Sequence, residues 1–289
     1  MKVLVFGGSG FLGTALCKTM LSRGYSLTVA DVVEPNFDCD FLYCDIQKKE
    51  HIDSCISRSF QIVVNLAGYS NMRESRTLPI LTMELNVISN MWIVEACIRH
   101  SVKRFLFASS AYATSTKGSF YAISKRMSEQ IIEEYAKGLE IDYNIIRYGS
   151  VYSNIPSHNN FMYNLVTDIL ENEEYHYIGD GNEKREYIHA DDASVLTLDV
   201  LENESYRNRI VYFTGSQSIT RNELFDVIKE TGSVNTNIVC KQSTAVDNYK
   251  LTPFSVKIEP VVRFTPNPGR DLSQGIYEIV KAIRENEQC

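Results

Sequence analysis

Two rhythms of apolar and polar positions alternate along the first half of the chain. Residues 2–6, KVLVF, are a continuous apolar run, the pattern of a strand buried on both faces. FLGTALCKTMLSRG follows with apolar residues at helical spacing and stops at Gly24, a residue type that ends helices. The same reading predicts strands over 26–31, 41–45, 61–68, 102–110 and 141–149, with helices near 47–58, 79–100 and 121–137. Strand, helix, strand in this order implies a parallel sheet with right-handed crossovers. Past about residue 155 the regularity gives way to short mixed elements and all but two of the prolines. The expected architecture is α/β: a doubly wound parallel sheet over 1–155 and a smaller mixed α/β part over 156–289, with some segments of the second returning to the first.

Charge and cysteine usage narrow the function classes. The formal net charge is −7 and no long run of Lys or Arg occurs, which argues against a nucleic-acid or anionic-membrane partner. No apolar stretch reaches the roughly 18 residues needed to cross a bilayer. The opening MKVLVFGGSG is broken by glycines and reads as the first strand rather than a leader. The seven cysteines are scattered and lack any CxxC, so neither a disulfide framework nor a metal site is expected, and a cytoplasmic setting fits.

GGSGFLG places Gly7, Gly10 and Gly13 after the first strand and at the mouth of the first helix. Glycines there allow a tight turn, approach of a pyrophosphate to the backbone, and close helix–strand packing, while the helix N-terminus offers unpaired N–H groups. Asp31 ends the second predicted strand, where a carboxylate accepts hydrogen bonds from ribose hydroxyls and repels a 2′-phosphate. Val32 and Val33 follow without an arginine to receive that phosphate, so NAD is favoured over NADP.

Tyr121 and Lys125 are four apart, a spacing that puts two side chains on one helical face. Chance alone supplies about one Tyr-x-x-x-Lys match in a chain with 17 tyrosines, and a second match, Tyr277–Lys281, is present. Context separates them: Tyr121–Lys125 follows the Ser109–Ser110 pair at the end of a predicted strand, whereas Tyr277–Lys281 is read as a solvated helix face. A free tyrosine, with pKa near 10, is too weak an acid to serve as a phenolate base at neutral pH. A neighbouring ammonium lowers that pKa.

Taken together, Gly7-x-x-Gly10-x-x-Gly13, Asp31, CDI at 44–46, NLAG at 65–68, Asn86, Ser109–Ser110, YAISK at 121–125, RYGSVYS at 147–153 and GDGNEKREYIHADDAS at 179–194 resemble the extended short-chain dehydrogenase/reductase family. The similar branch is that of the nucleotide-sugar epimerases and dehydratases, and the likeness runs over nearly the whole chain. It implies a Rossmann-type cofactor domain, an NAD cofactor, a nucleotide-diphosphate sugar as substrate, and catalytic residues Ser110, Tyr121 and Lys125. Cofactor contacts are implied for Gly7, Gly10, Phe11, Leu12, Gly13, Asp31, Asp45, Ile46, Leu66, Ala67, Gly68, Asn86, Tyr121 and Lys125. Substrate contacts are implied for Ser110 and for Arg185, whose guanidinium suits a diphosphate. Asp191 and Asp192 are expected to cap the following helix, His189 to be a packed strand residue, His158 loop surface, and Ser109 structural.

Two departures stand out. Only ten residues separate Ser110 from Tyr121, where many relatives carry a longer substrate-covering loop, and AYATST replaces the usual Val-Tyr-Gly. Ala111 and Tyr112 also stand where dehydratases carry an acidic pair, which disfavours dehydration. The expected activity is epimerisation of a nucleotide-diphosphate sugar at C4. The alternatives are a 4-ketoreductase or dehydrogenase on the same scaffold, and a non-catalytic NAD-binding regulator. Helices 79–100 and 121–137 carry apolar residues on more than one face, Ile88, Ile123 and Met127 among them. The family pairs these helices across a twofold axis, so a homodimer is expected.

Overall fold

The computed structural model describes residues 1–138, 141–241 and 262–286. Eight strands, all paired in parallel, form the large sheet. They are β1 (Lys2–Phe6), β2 (Ser26–Asp31), β3 (Asp40–Tyr43), β4 (Ile62–Asn65), β5 (Arg104–Ser110), β6 (Asp142–Tyr148), β10 (Arg209–Phe213) and β13 (Val262–Phe264), in spatial order β3-β2-β1-β4-β5-β6-β10-β13. β7 (Ser150–Tyr152), β9 (Lys184–His189) and β11 (Ser218–Thr220) make a second small sheet, and β8 (Glu174–Ile178) pairs with β12 (Asn237–Lys241).

The apolar run of β1 explains the layering. Val3 and Val5 face one side, against Leu16, Cys17 and Met20 of α1 (Phe11–Ser22) and the apolar face of α7 (Ala190–Glu202). Leu4 and Phe6 face the other, against α2 (Lys49–Ile56), α4 (Ser89–Arg99) and α5 (Ser119–Ala136). Successive side chains of a strand point to opposite faces, so an uninterrupted apolar strand demands cover on both. A third core joins α6 (Phe161–Glu171), α8 (Arg221–Gly232) and α9 (Leu272–Asn286) around Tyr152 and Phe225.

The predicted strands of the first half all form, and β3 ends two residues early, releasing Cys44 and Asp45 into a loop. The predicted helix 79–100 is not continuous: α3 (Pro79–Met83) gives way to a π-turn over Glu84–Ile88 before α4 begins. Inserting one residue into a helical turn leaves the apolar spacing on either side intact, so periodicity does not register it. Asp191 and Asp192 do not cap α7. His189 does, its Nδ1 accepting from the Asp191 N–H at 3.2 Å, while the two aspartates lie in the first turn and engage Arg270. His189 is otherwise buried as expected, edge-on to Tyr152.

Candidate active site

The C-terminal ends of β1, β2, β4, β5 and β6 open onto one cleft of about 870 Å³. It lies where the strand order turns back on itself between β1 and β4, the place where open parallel sheets bind ligands. Every residue expected to touch cofactor or substrate lines this cleft, with the exception of Asn86.

The glycine turn is built as a cradle. Gly7 has φ +77°, and a Cβ there would stand 2.6 Å from the Ala67 backbone nitrogen. A Cβ on Gly13 would meet the Gly7 carbonyl oxygen at 2.1 Å, so this glycine lets α1 sit on the turn. Gly10, by contrast, has only the Gly7 oxygen nearby, at 3.3 Å, which leaves the mouth of α1 uncovered. No side chain caps α1 and no acidic residue occupies its first turn, so its leading N–H groups remain available to a pyrophosphate.

Asp31 is half-buried at the end of β2. Its Oδ1 accepts from the backbone N–H groups of Val32 (2.7 Å) and Val33 (3.3 Å), and its Oδ2 from Ser9 (3.1 Å). Three of the roughly four lone-pair sites of a carboxylate are thus engaged. The group braces the glycine turn and keeps acceptor capacity for a ribose hydroxyl. Asp45 and Ile46 follow β3, with Asp45 Oδ1 accepting from the Gln47 N–H at 3.0 Å, and Leu66, Ala67 and Gly68 follow β4. The cradle, the uncovered helix mouth and the acceptor at Asp31 together fit NAD.

Asn86 stands behind the lining, against Gly68. It is buried in the π-turn, where its Oδ1 accepts from the Tyr69 N–H (2.7 Å) and its Nδ2 donates to Tyr69 O (3.0 Å) and Ser124 Oγ (2.8 Å). Ser128 Oγ donates to its carbonyl at 2.8 Å. Ser124 and Ser128 flank Lys125 on α5, so the π-turn steadies the helix that carries the lysine.

Ser110 caps a short 3₁₀ turn, Ala111–Thr114, its Oγ accepting from the Tyr112 N–H at 3.2 Å. Tyr121 is half-buried in the first turn of α5, and Lys125 is buried one turn further on. Lys125 Nζ donates to the Ala108 carbonyl at 2.8 Å and stands 6.0 Å from the centre of the Tyr121 ring. Burial pushes the Lys125 pKa down to about 8, opposed by the nearby Glu129 carboxylate. Tyr277, in contrast, is exposed, and Lys281 pairs with Glu285 at 3.7 Å on the surface of α9.

The short loop before Tyr121 is tightly held. Arg126 donates to the carbonyls of Ala113 and Ser115, both at 2.7 Å, and Gly118 adopts φ +100° against the Tyr112 ring. That ring packs edge-on to Tyr121 with centres 6.4 Å apart, so Tyr112 walls the cleft beside the tyrosine.

The far arm of the cleft is lined by Arg185 of β9 and by residues that the sequence reading did not single out. Arg221, at the start of α8, is buried, donates to Tyr187 OH at 2.7 Å and stacks over Phe161 at 4.6 Å. One signal existed: a guanidinium in the first turn opposes the positive end of the helix dipole, so something else must hold it. His158, expected as loop surface, is exposed at the mouth of the same arm.

Residues 3–212 match the model of the NAD dependent epimerase/dehydratase family. The chain is 24% identical over 309 aligned positions to a putative UDP-glucose 4-epimerase of Methanocaldococcus jannaschii, with 99% of each chain covered. It is also 24% identical to a dTDP-glucose 4,6-dehydratase of Streptomyces antibioticus, over 99% of this chain and 93% of that one. Among solved structures, UDP-glucose 4-epimerase from Thermotoga maritima with UDP-glucose matches at TM-score 0.86 and 23% identity, covering 99% of this chain and 100% of the other. That last likeness is one of fold.

Proposed function

The chain belongs to the NAD dependent epimerase/dehydratase family, and from that premise we propose that it epimerises a nucleotide-diphosphate sugar at C4. The observation that carries this reading is the meeting of Ser110, Tyr121 and Lys125 in one cleft, between a dinucleotide cradle and an arginine-lined arm. NAD, when bound, supplies a reversible hydride acceptor. Gly7, Gly10, Gly13, Asp31, Asp45, Ile46 and Leu66–Gly68 would hold it.

Each residue then has a definite task. Tyr121 removes the proton of the sugar C4 hydroxyl, and Lys125 as an ammonium stabilises the phenolate that does so. Ser110 donates to the reacting oxygen, and Arg185 holds the diphosphate by charge-assisted hydrogen bonds. Anchored at the diphosphate, the 4-keto sugar turns its other face inward, and Tyr121 returns the proton once hydrogen has been restored to C4. No net oxidation results.

Dehydration finds no support in Ala111 and Tyr112, which offer no acid to the leaving hydroxyl. A single-pass ketoreductase would usually draw on NADPH, and Asp31 opposes the 2′-phosphate. In this reading residues 1–155 hold the cofactor and residues 156–289 supply the substrate side, apart from the stretches that return to the large sheet. Exposed Ile80, Ile88, Ile123 and Met127 on α3–α5 and the intervening π-turn support a homodimer through that face. Six described cysteines are unbridged, which fits the cytoplasm.

The test is turnover with each of two C4-epimeric sugars, UDP-glucose and UDP-galactose first, followed by anion-exchange chromatography. Both should reach one common mixture without added reductant. Conversion of neither, across a panel of uridine and thymidine diphosphate sugars, defeats the proposal.

A further inference from the structure

A stripe of three ionisable side chains runs along α5 at four-residue intervals: Tyr121, Lys125 and Glu129. The helical repeat brings all three to one face. The first two have tasks in the proposed reaction, while the third is buried at 3% exposure and does not line the cleft. Its carboxylate is held on every side. Arg147 of β6, itself 8% exposed, donates through Nε to Oε1 at 2.9 Å and through Nη2 to Oε2 at 2.7 Å. Ser109 Oγ also donates to Oε1, from the residue that pairs with Arg147 across β5 and β6.

The stitching is two-sided. Ala108 accepts from Lys125 through its carbonyl, and the next residue, Ser109, donates to Glu129. Two adjacent residues at the end of β5 therefore fix two consecutive turns of α5, immediately before Ser110. The chain of contacts continues outward: Arg147 Nη1 donates to Tyr212 OH at 3.0 Å, and that hydroxyl donates to Thr114 Oγ1 at 3.0 Å, in the turn beside Tyr112. A buried ion pair is a poor source of stability, since apolar residues of the same volume often do as well or better. Its presence under the lysine calls for another reason.

We propose that Glu129 is a positioning residue for the reaction: clamped by Arg147 and Ser109, its carboxylate keeps Lys125 an ammonium and so keeps Tyr121 a competent base. This rests on the Tyr121–Lys125 reading above. Burial disfavours the charged lysine, and the Glu129 carboxylate, one helical turn along the same face, opposes that effect. Other groups around the lysine do not replace it. Tyr121 shares its helix, and Tyr112 stands in the 3₁₀ turn beside it. On β6 Arg147 is the residue turned to α5, already committed to Glu129, while Tyr148 points to the opposite face and bonds Thr197 of α7. Glu74, Arg76 and Glu84, on the turns packed against α5, are exposed, and Glu95 of α4 is engaged by Tyr135 at 3.0 Å and Lys49 at 3.3 Å.

The test reads the tyrosine directly. Phenolate absorbance near 295 nm is titrated for the NAD-loaded full chain and for its Tyr121→Phe variant, and the difference is the Tyr121 curve. The same pair is then measured in a Glu129→Gln background. Because that change strands Arg147 as a buried charge, Glu129→Gln/Arg147→Met serves as the second background, removing both charges together. The Tyr121 midpoint should rise by about one unit in the Glu129→Gln background and by a smaller but measurable amount in the double variant, where the opposing Arg147 charge leaves as well. In the first, kcat/KM at pH 7 should fall roughly tenfold, as expected of one charge about a helical turn away. NAD affinity should stay within about threefold of the parent value. A merely structural role would lower the melting temperature and leave the midpoint in place, and an unmoved midpoint in either folded background overturns the proposal. If Tyr121→Phe removes no ionisation below that of ordinary tyrosine in the parent protein, the Tyr121–Lys125 reading itself fails and takes the proposal with it.

Discussion

Asp31 acts through charge and through the turn it braces. A 2′-phosphate would bring two negative charges to a carboxylate already engaged by three backbone N–H groups. NAD(H) should therefore bind at least tenfold tighter than NADP(H), a gap of about 1.4 kcal/mol, measurable by fluorescence titration. Equal affinities would remove Asp31 from the cofactor site. Tyr121→Phe should abolish most turnover and leave NAD binding near normal, because only the ionisable oxygen is lost. Lys281→Ala, on the exposed face of α9, should be silent in the same assay. Lys125 carries a stability consequence of the opposite sign to its activity. Its folded pKa, about 8, lies below the ordinary lysine value of 10.5. Below pH 8 the folded protein bears the full cost of a buried ammonium, and stability from this group is regained as pH rises from about 8 towards 10.5. Lys125→Met should therefore abolish turnover yet stabilise the cofactor-free protein at pH 7. Allowing for the lost hydrogen bond to Ala108, the gain is about 2 kcal/mol, or roughly 5 °C in calorimetry. A lowered melting temperature would show that the ammonium is not penalised by its burial.

Among the elements, the glycine turn is the least tolerant. A methyl at Gly13 would overlap the Gly7 carbonyl, so Gly13→Ala should push α1 off the turn, weaken NAD binding at least tenfold and cost about 2 kcal/mol or more in urea unfolding. Gly24→Ala is the control for a mere loss of glycine: it lies at φ +78° with open space around it and touches no part of the cleft. Local pattern reveals such elements because their causes are local. The β1 run, the glycine turn and the Asp31 strand end are all legible in residues 2–31, since a strand covered on both faces and a tight turn leave compositional marks. Asn86 shows the limit. The π-turn that buries it depends on Tyr69 and Ser124, seventeen and thirty-eight residues away. Arg221 joins the cleft through Tyr187, thirty-four residues upstream, and Glu129 through Arg147 on another strand. Spacing along one element carries none of these partnerships.

The whole molecule departs from a simple division into halves. α7, β10 and β13 come from the later part of the chain yet complete the large sheet and its cover, because β6 presents an apolar edge that Ile210, Val211 and Phe213 match in parallel register. Return of this kind depends on sheet pairing across more than sixty residues, which leaves no periodic trace in the sequence. The apolar face of α3–α5 belongs to the same scale. Ile80 at 70%, Ile123 at 43% and Met127 at 38% exposure are apolar surface that the described residues leave uncovered. Sedimentation equilibrium at micromolar concentration should give about twice the 32.9 kDa chain mass, and Ile123→Glu/Met127→Glu should return it to one. A single-chain mass for the unaltered protein would contradict a dimer.

The central claim is that Tyr121, Lys125 and bound NAD take hydrogen from C4 of a nucleotide sugar and return it to the opposite face. Its most direct test is the reaction run in D₂O with UDP-galactose and followed by ¹H NMR. The account predicts UDP-glucose that keeps its C4 proton undiminished, with no net NADH at 340 nm. Deuterium at C4, a 4-keto-6-deoxy product, or accumulation of NADH in step with substrate loss would contradict it.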